Sequence, residues 1–422
     1  MRKSARLMCL VLAMALFAGS ALAGEKLTLM PGAWSGNTID FLRTQIAEWE
    51  KETGVKVEIL NVPNNGSEIL AIAQQNLAAE NPDVDIYPMD IVWQGMLGRY
   101  FIDLQEYFPA EEIAKYNPAA IDANMINGRL VGIPFYGDIS MFYYRTDLLE
   151  KYGYSAPPAT WAELREMSEK IQAGERAAGN PNFWGFVFPG AVFEGFACDI
   201  VEWIAGNDGG TWVDKDGNVT ADTPNVREIL EFMSKFPGQI SPEGVTSYLN
   251  DDARGFFQSG NAAFMRNWPF AYAMGQSADS PIKDKFTVGP IPHGPKGKSV
   301  SALGGWQVAI SRYSKNPARA AELIKFINRP DNQKARMLKL ARTVVHVELL
   351  KDPEIAAAYP WTDMMMQLNV VARPAAYTGT KYNQMSSACQ RAVHDMLTGK
   401  EQVGPRLERL QSELVRIKGR GW

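Results

Sequence analysis

Side chains able to do chemistry are plentiful in this sequence, but few stand at a spacing that a reaction requires. The three histidines, His293, His346 and His394, are isolated, and none belongs to an HExxH pair that would hold zinc. Ser35 lies in Gly32-Ala33-Trp34-Ser35-Gly36, one position off the Gly-x-Ser-x-Gly turn of a nucleophilic serine. Gly297-Lys298-Ser299 ends like a phosphate loop, yet Pro292 stands where the leading glycine belongs, so the backbone cradle fails. Carboxylates abound, and hydrolysis of glycosides by a pair of them stays open on motif alone. Cys198 and Cys389 sit in neither a CxxC nor a metal-ligand spacing. An oxidising compartment permits a disulfide between them, and two separate buried thiols are the simpler reading. Taken together, these absences favour binding over a covalent step.

The elements that would position polar groups for binding are legible from residue 26 onward. Leu27 and Leu29 alternate as a short strand within Lys26 to Met30. Ile39, Leu42, Ile46 and Trp49 follow at helical spacing, and Gly54 supplies a stop. A second strand at Val55 to Ile59, a helix through Ile69 to Ala79 and a third strand at Val84 to Met89 complete the series. Strand-helix-strand alternation predicts an α/β unit on a parallel sheet, in which ligands sit beyond the carboxyl ends of the strands. Those ends carry Trp34-Ser35, Asn64-Asn65-Gly66-Ser67, and Asp90 with Trp93 close behind. Further on, Thr160, Thr223-Pro224 and Ser241-Pro242 stand at or near helix starts, and Asn316-Pro317 opens a helix ending near Asn328. Phe286 to Ile291 and Gly304 to Ile310 read as strands, and the tail from Tyr382 as amphipathic helix.

Arg2, Lys3 and Arg6 precede an apolar run, Leu7 to Phe17, and small residues ending in Ala21-Leu22-Ala23. The run is too short to span a bilayer, which takes about 20 residues, so residues 1–23 read as a cleaved signal peptide. No cysteine follows the run, which predicts an unlipidated mature protein in a Gram-negative periplasm. The formal net charge is −4 for the whole chain, and loss of the three basic leader residues makes it more negative. Nucleic acid, which calls for a basic face, is therefore excluded as a partner. A chain of 422 residues exceeds what one core serves, so two lobes are expected.

Several stretches together carry a resemblance. They are Asp85-Ile86-Tyr87-Pro88-Met89-Asp90-Ile91-Val92-Trp93, Tyr143-Tyr144-Arg145-Thr146-Asp147-Leu148-Leu149-Glu150-Lys151-Tyr152-Gly153, and Phe256 to Pro269 with its Arg266-Asn267-Trp268-Pro269 turn. Leu303-Gly304-Gly305-Trp306-Gln307 and Ala372-Arg373-Pro374 complete the set. On these residues the chain resembles the family-1 extracellular solute-binding proteins of ABC importers, in particular the trehalose/maltose-binding branch. The resemblance runs from near residue 27 to the C-terminus. It implies an α/β, two-lobed periplasmic-binding-protein fold, with a hinge and a ligand cleft between lobes 24–136 plus 301–345 and 137–300 plus 346–422. It also implies a sugar ligand, an ABC permease and its ATPase as partners, a monomeric protein and no cofactor.

The same resemblance implies ligand contacts residue by residue. Asp90 and Asp138 would accept sugar hydroxyls, with Tyr136 beside the second. Trp268 would be an aromatic platform and Gly304-Gly305 would bring backbone amides close, with Trp306 adjacent. Arg373 would reach the ligand from the last crossing, and Trp34, Asn65, Ser67 and Glu194 would face the cleft from its loops. Two departures stand out. Relatives commonly carry tyrosine where this chain has Phe270, which keeps a stacking face and loses a hydroxyl. Where relatives tend to have a Leu-Pro-Thr segment, this chain has Ala341-Arg342-Thr343-Val344-Val345-His346, which bears on the size of ligand admitted. The leading expectation is thus a receptor for an α-linked disaccharide such as trehalose or maltose. Glycerol-3-phosphate or another polyol, and a periplasmic glycosidase, are the alternatives; an anionic ligand is disfavoured because only Arg266 and Arg373 lie in the matched motifs, their charge offset by Asp90 and Asp138.

Overall fold

A computed structural model describes residues 26–422, so the signal-peptide reading of residues 1–23 lies outside the described residues. Two sheets organise the chain. The first contains β1 (Lys26–Leu29), β2 (Lys56–Ile59), β3 (Ile86–Asp90), β4 (Ile133–Tyr136) and a strand from much later, Trp306–Ile310. The second contains β5 (Met141–Arg145), β6 (Trp184–Val187), β7 (Ala262–Asn267) and β8 (Phe286–Gly289). A short pair, β9 (Ser301–Ala302) with Val370–Val371, runs parallel between them. The late strand of the first sheet is β10, and Val370–Val371 is β11.

In the first sheet the order is β2-β1-β3-β10-β4. Strands β1, β2 and β3 are parallel, as the alternation of strands and helices predicts. Strand β10, which comes from outside that series, inserts antiparallel to both β3 and β4. Two helices connect the parallel strands: α1 (Gly36–Thr53), which buries Leu42, Ile46 and Trp49, and α2 (Gly66–Ala78). Gly54 ends α1 with a left-handed backbone, φ 75°, and returns its N–H to Glu50 O.

The second sheet has the order β8-β5-β7-β6. It is flanked by α3 (Trp161–Ala177), α4 (Glu194–Ala205), α5 (Pro224–Met233) and α6 (Asn250–Gln258). Thr160 and Glu163 cap the start of α3 reciprocally, and Thr223 caps α5 ahead of Pro224. Ser241-Pro242 leads only into a 3-10 turn, Glu243–Ser247. The chain then adds α7 (Pro317–Ile327) and α8 (Pro330–Leu340), and closes with α9 (Tyr382–Leu397) and α10 (Val403–Lys418). No helix among the described residues is long and apolar enough to cross a membrane.

Four segments pass between the sheets and hydrogen-bond to one another. Ser140 N donates to Ala302 O at 3.1 Å and Gly304 N to Asp138 O at 2.8 Å. Gly137 N donates to Thr343 O at 3.3 Å, and Leu303 N to Val371 O at 2.9 Å. These mutual bonds satisfy backbone groups that would otherwise be buried unpaired between the lobes.

Candidate functional site

The register of the first sheet builds one side of a site. Trp306, which opens β10, pairs with Asp90 on β3 and with Tyr136 on β4. A carboxylate, an indole and a phenol are thereby placed on one rung at the sheet's edge. Strand β10 starts at Trp306 rather than Gly304 because Gly305 has φ 126°, a conformation that disfavours any side chain. A Cβ on Gly305 would also lie 2.8 Å from Tyr136 O, and one on Gly304 would lie 2.5 Å from the Trp268 ring.

The second sheet supplies the opposing side. β7 ends at Asn267, so Trp268 emerges at its carboxyl end, where Tyr143 Oη donates to Trp268 O at 2.7 Å. Beneath the indole lies the Arg266 guanidinium, 4.5 Å from the ring centre. Arg266 is wholly buried and is gripped by Glu202 at 2.6 Å and Asp199 at 3.3 Å. Glu202 also accepts from Ala302 N at 3.0 Å, which ties this cluster to the crossing strand just ahead of Gly304.

Between the two sides lies a cavity of about 180 Å³. Asp90, Tyr136, Asp138, Glu194, Trp268, Phe270, Gly304, Gly305, Trp306 and Arg373 all border it, so ten residues singled out from the sequence converge on one space. Three others do not border it. Trp34 is 3% exposed and packs behind the wall, 4.8 Å from Phe135 and edge-on to Trp306. Asn65 is the N-cap of α2, its Oδ1 accepting from Ser67 N at 2.9 Å and Glu68 N at 3.4 Å. The neighbouring Ala33, Ser35, Asn64 and Gly66 border the cavity in their place.

Arg373 is held more tightly than a surface ion pair. Its Nη2 donates to Asp90 Oδ1 at 2.7 Å and its Nη1 to Glu194 Oε1 at 2.8 Å. Glu194, the first residue of α4, also accepts from Tyr382 Oη, from Ser386 Oγ at 2.9 Å and from Gln390 Nε2 at 3.1 Å. Burial pushes the Asp90 carboxyl above the usual range, opposed by Arg373 and reinforced by Glu194. Its Oδ2 has no bonded donor among the described residues, and the side chain keeps 13% exposure.

Sequence reasoning missed Arg342, Phe193, Asp251 and Asp252 on the cavity wall. Arg342 pairs with Asp138 at 3.2 Å, so the second carboxylate already has a cationic partner. Burial is nonetheless the largest influence on Asp138 and raises its carboxyl above the usual range. The only sequence signal for Arg342 was its place in the departing 341–346 segment. At the cavity mouth Asn64 Nδ2 donates to Asp251 Oδ2 at 3.2 Å, joining the loop before α2 to α6. Cys198 and Cys389 are buried and unpaired; Cys198 borders the cavity, and burial pushes its thiol up to about 12.

Comparison with known proteins places this geometry. The maltose-bound MalE3 of T. maritima superposes with a TM-score of 0.87 at 33% identity, covering 93% of this chain and all of that one. A probable ABC transporter-binding protein of Deinococcus radiodurans is 43% identical over 389 residues, 92% of each chain. A mannitol-binding protein of Pseudomonas aeruginosa is 24% identical over 210 residues, 48% of this chain and 46% of its own. The sequence profile described as bacterial extracellular solute-binding protein matches residues 35–334. With a two-lobed α/β fold, a cavity between the lobes and these matches, the chain belongs to the bacterial extracellular solute-binding protein family.

Proposed function

We propose that this protein captures a neutral sugar or polyol between its lobes and presents it to an ABC importer, a permease with its ATPase. The observation that carries the reading is the pairing of Asp90, with an open Oδ2, and the rings of Trp268, Trp306, Tyr136 and Phe270 around one cavity. Carboxylates accept hydroxyl protons in strong charge-assisted bonds, about 1.5–3 kcal/mol each. Flat aromatic faces take the C–H surface of a sugar with little loss of side-chain freedom. An anionic ligand suits the wall poorly, because both arginines on it are already paired with carboxylates and Asp251 and Asp252 add further negative charge.

An α-linked disaccharide is the first ligand to test, supported by the maltose-bound relative at 33% identity. A shorter ligand, a hexose or hexitol, is the second reading; the small cavity and the position of Arg342 favour it. Binding draws the lobes together through contacts that exist only when both touch the ligand. A thermal-shift screen with trehalose, maltose, glucose, mannitol and glycerol-3-phosphate tests the reading. A ligand at 100 times its Kd stabilises by about 2.7 kcal/mol, so a true ligand gives a clear rise. A rise with glycerol-3-phosphate alone would overturn the neutral-ligand reading. Release of free monosaccharide from a bound disaccharide would turn the site into a glycosidase.

A further inference from the structure

This inference rests on the carbohydrate reading and concerns how much of the cleft the ligand can use. We propose that the Arg342 side chain fills a latent sugar-ring subsite beside the open cavity, so that the protein selects a ligand one ring shorter than the cleft would otherwise hold.

The guanidinium lies against two aromatic rings, its Cζ 4.8 Å from the centre of Tyr136 and 4.6 Å from that of Phe270. In its own plane it donates from Nη1 to Asp138 Oδ2 at 3.2 Å, from Nη2 to Ser35 Oγ at 3.1 Å and from Nε to Thr38 Oγ1 at 3.2 Å. Without the arginine, what surrounds that volume is two flat apolar faces, one carboxylate and two hydroxyls. A pyranose needs the same set, rings for its C–H faces and acceptors for its hydroxyls. A guanidinium satisfies that set because it is planar and purely a donor.

Three further features fit a filled subsite. Arg342 borders the open cavity, so removing its side chain would extend that space rather than leave a sealed void. Its side chain is 6% exposed and carries three hydrogen bonds, so it is held in place rather than resting on the surface. Phe270 gives the guanidinium a bare ring to lie on, with no hydroxyl competing for its donors.

The test is calorimetric titration of mannitol, glucose, maltose and maltotriose into the wild type, Arg342→Ala and the double variant Arg342→Ala/Asp138→Asn. The double variant removes the buried carboxylate that the single change leaves without its cation, so that folding is not at stake. The inference expects preference to move one ring upward in the variants, with affinity for the longer ligand rising on the order of tenfold or more. An unchanged length preference in both variants overturns it. If no ligand binds the wild type, the carbohydrate reading fails for the native site. Maltotriose binding to a variant would then still establish the filled subsite, and binding to neither would overturn it.

Discussion

Arg373 and Asp90 form a buried ion pair, Nη2 to Oδ1 at 2.7 Å, where the last crossing segment meets the end of β3. The same guanidinium holds Glu194 at the start of α4, so one side chain joins an element of the first sheet to a helix beside the second. Arg373→Ala leaves two buried carboxylates without their cation. Breaking a buried pair from one side costs about 3–5 kcal/mol. Chemical denaturation should show a loss of that size; a loss under about 1 kcal/mol would mean that water reaches the carboxylates freely.

The Trp268 platform should carry affinity more than stability. Trp268→Ala removes one aromatic face of the cavity and should weaken sugar binding roughly tenfold or more, equivalent to about 1.4 kcal/mol. Gly304→Ala should act in the same direction, since its Cβ would meet the Trp268 ring at 2.5 Å and displace it. Titration calorimetry on both variants checks this. Unaltered affinity in Trp268→Ala would remove the indole from the site.

His346 makes stability fall on the acid side. Its ring is buried against Tyr116, 4.6 Å between centres, and burial holds its pKa at about 4, against 6.5 for a free imidazole. Between those values the unfolded chain binds a proton that the folded chain refuses, so folding stability declines as pH drops from 6.5 towards 4. A shift of that size corresponds to about 2–3 kcal/mol across the window. The stability difference between wild type and His346→Gln, followed by urea denaturation from pH 7.5 to 4, should show that slope. Parallel pH curves would contradict it.

Cys198 and Cys389 should titrate as two thiols in urea and react slowly in the native protein, since both are buried and free. Burial keeps Cys198 near 12, so thiolate is scarce at neutral pH. Titration of the unfolded, unreduced protein with a chromogenic disulfide reagent reads this directly. No reactive thiol in urea would reveal a disulfide.

Local pattern made the first three strands and their helices legible, because Leu27, Leu29, Ile46 and Trp49 face one core and their spacing records it. It could not reveal that β10 enters antiparallel between β3 and β4, since that pairing depends on residues far apart in the chain. The site divides along the same line. Asp90, Tyr136 and Trp306 were legible individually, yet the rung that assembles them is a property of the sheet register. Trp34, Asn65 and Ser67 lie off the cavity because a strand end marks only a region, whereas local structure, such as the helix cap that holds Asn65, decides which side chain faces it. Arg342 was missed because a lone arginine in a loop carries no periodic signal, and its partners Ser35, Thr38 and Asp138 come from elsewhere in the chain.

The late arrival of β10 also governs how the polypeptide can acquire its shape during synthesis. With the first sheet in the order β2-β1-β3-β10-β4, strands β3 and β4 have no direct pairing and meet only through β10. Every strand of the second sheet is made before that bridging strand. A nascent chain ending before Trp306 therefore holds two open inner edges in its first sheet, which cannot close cooperatively until the final third emerges. Such dependence on distant segments slows folding and keeps the growing chain in a loosely structured form for longer.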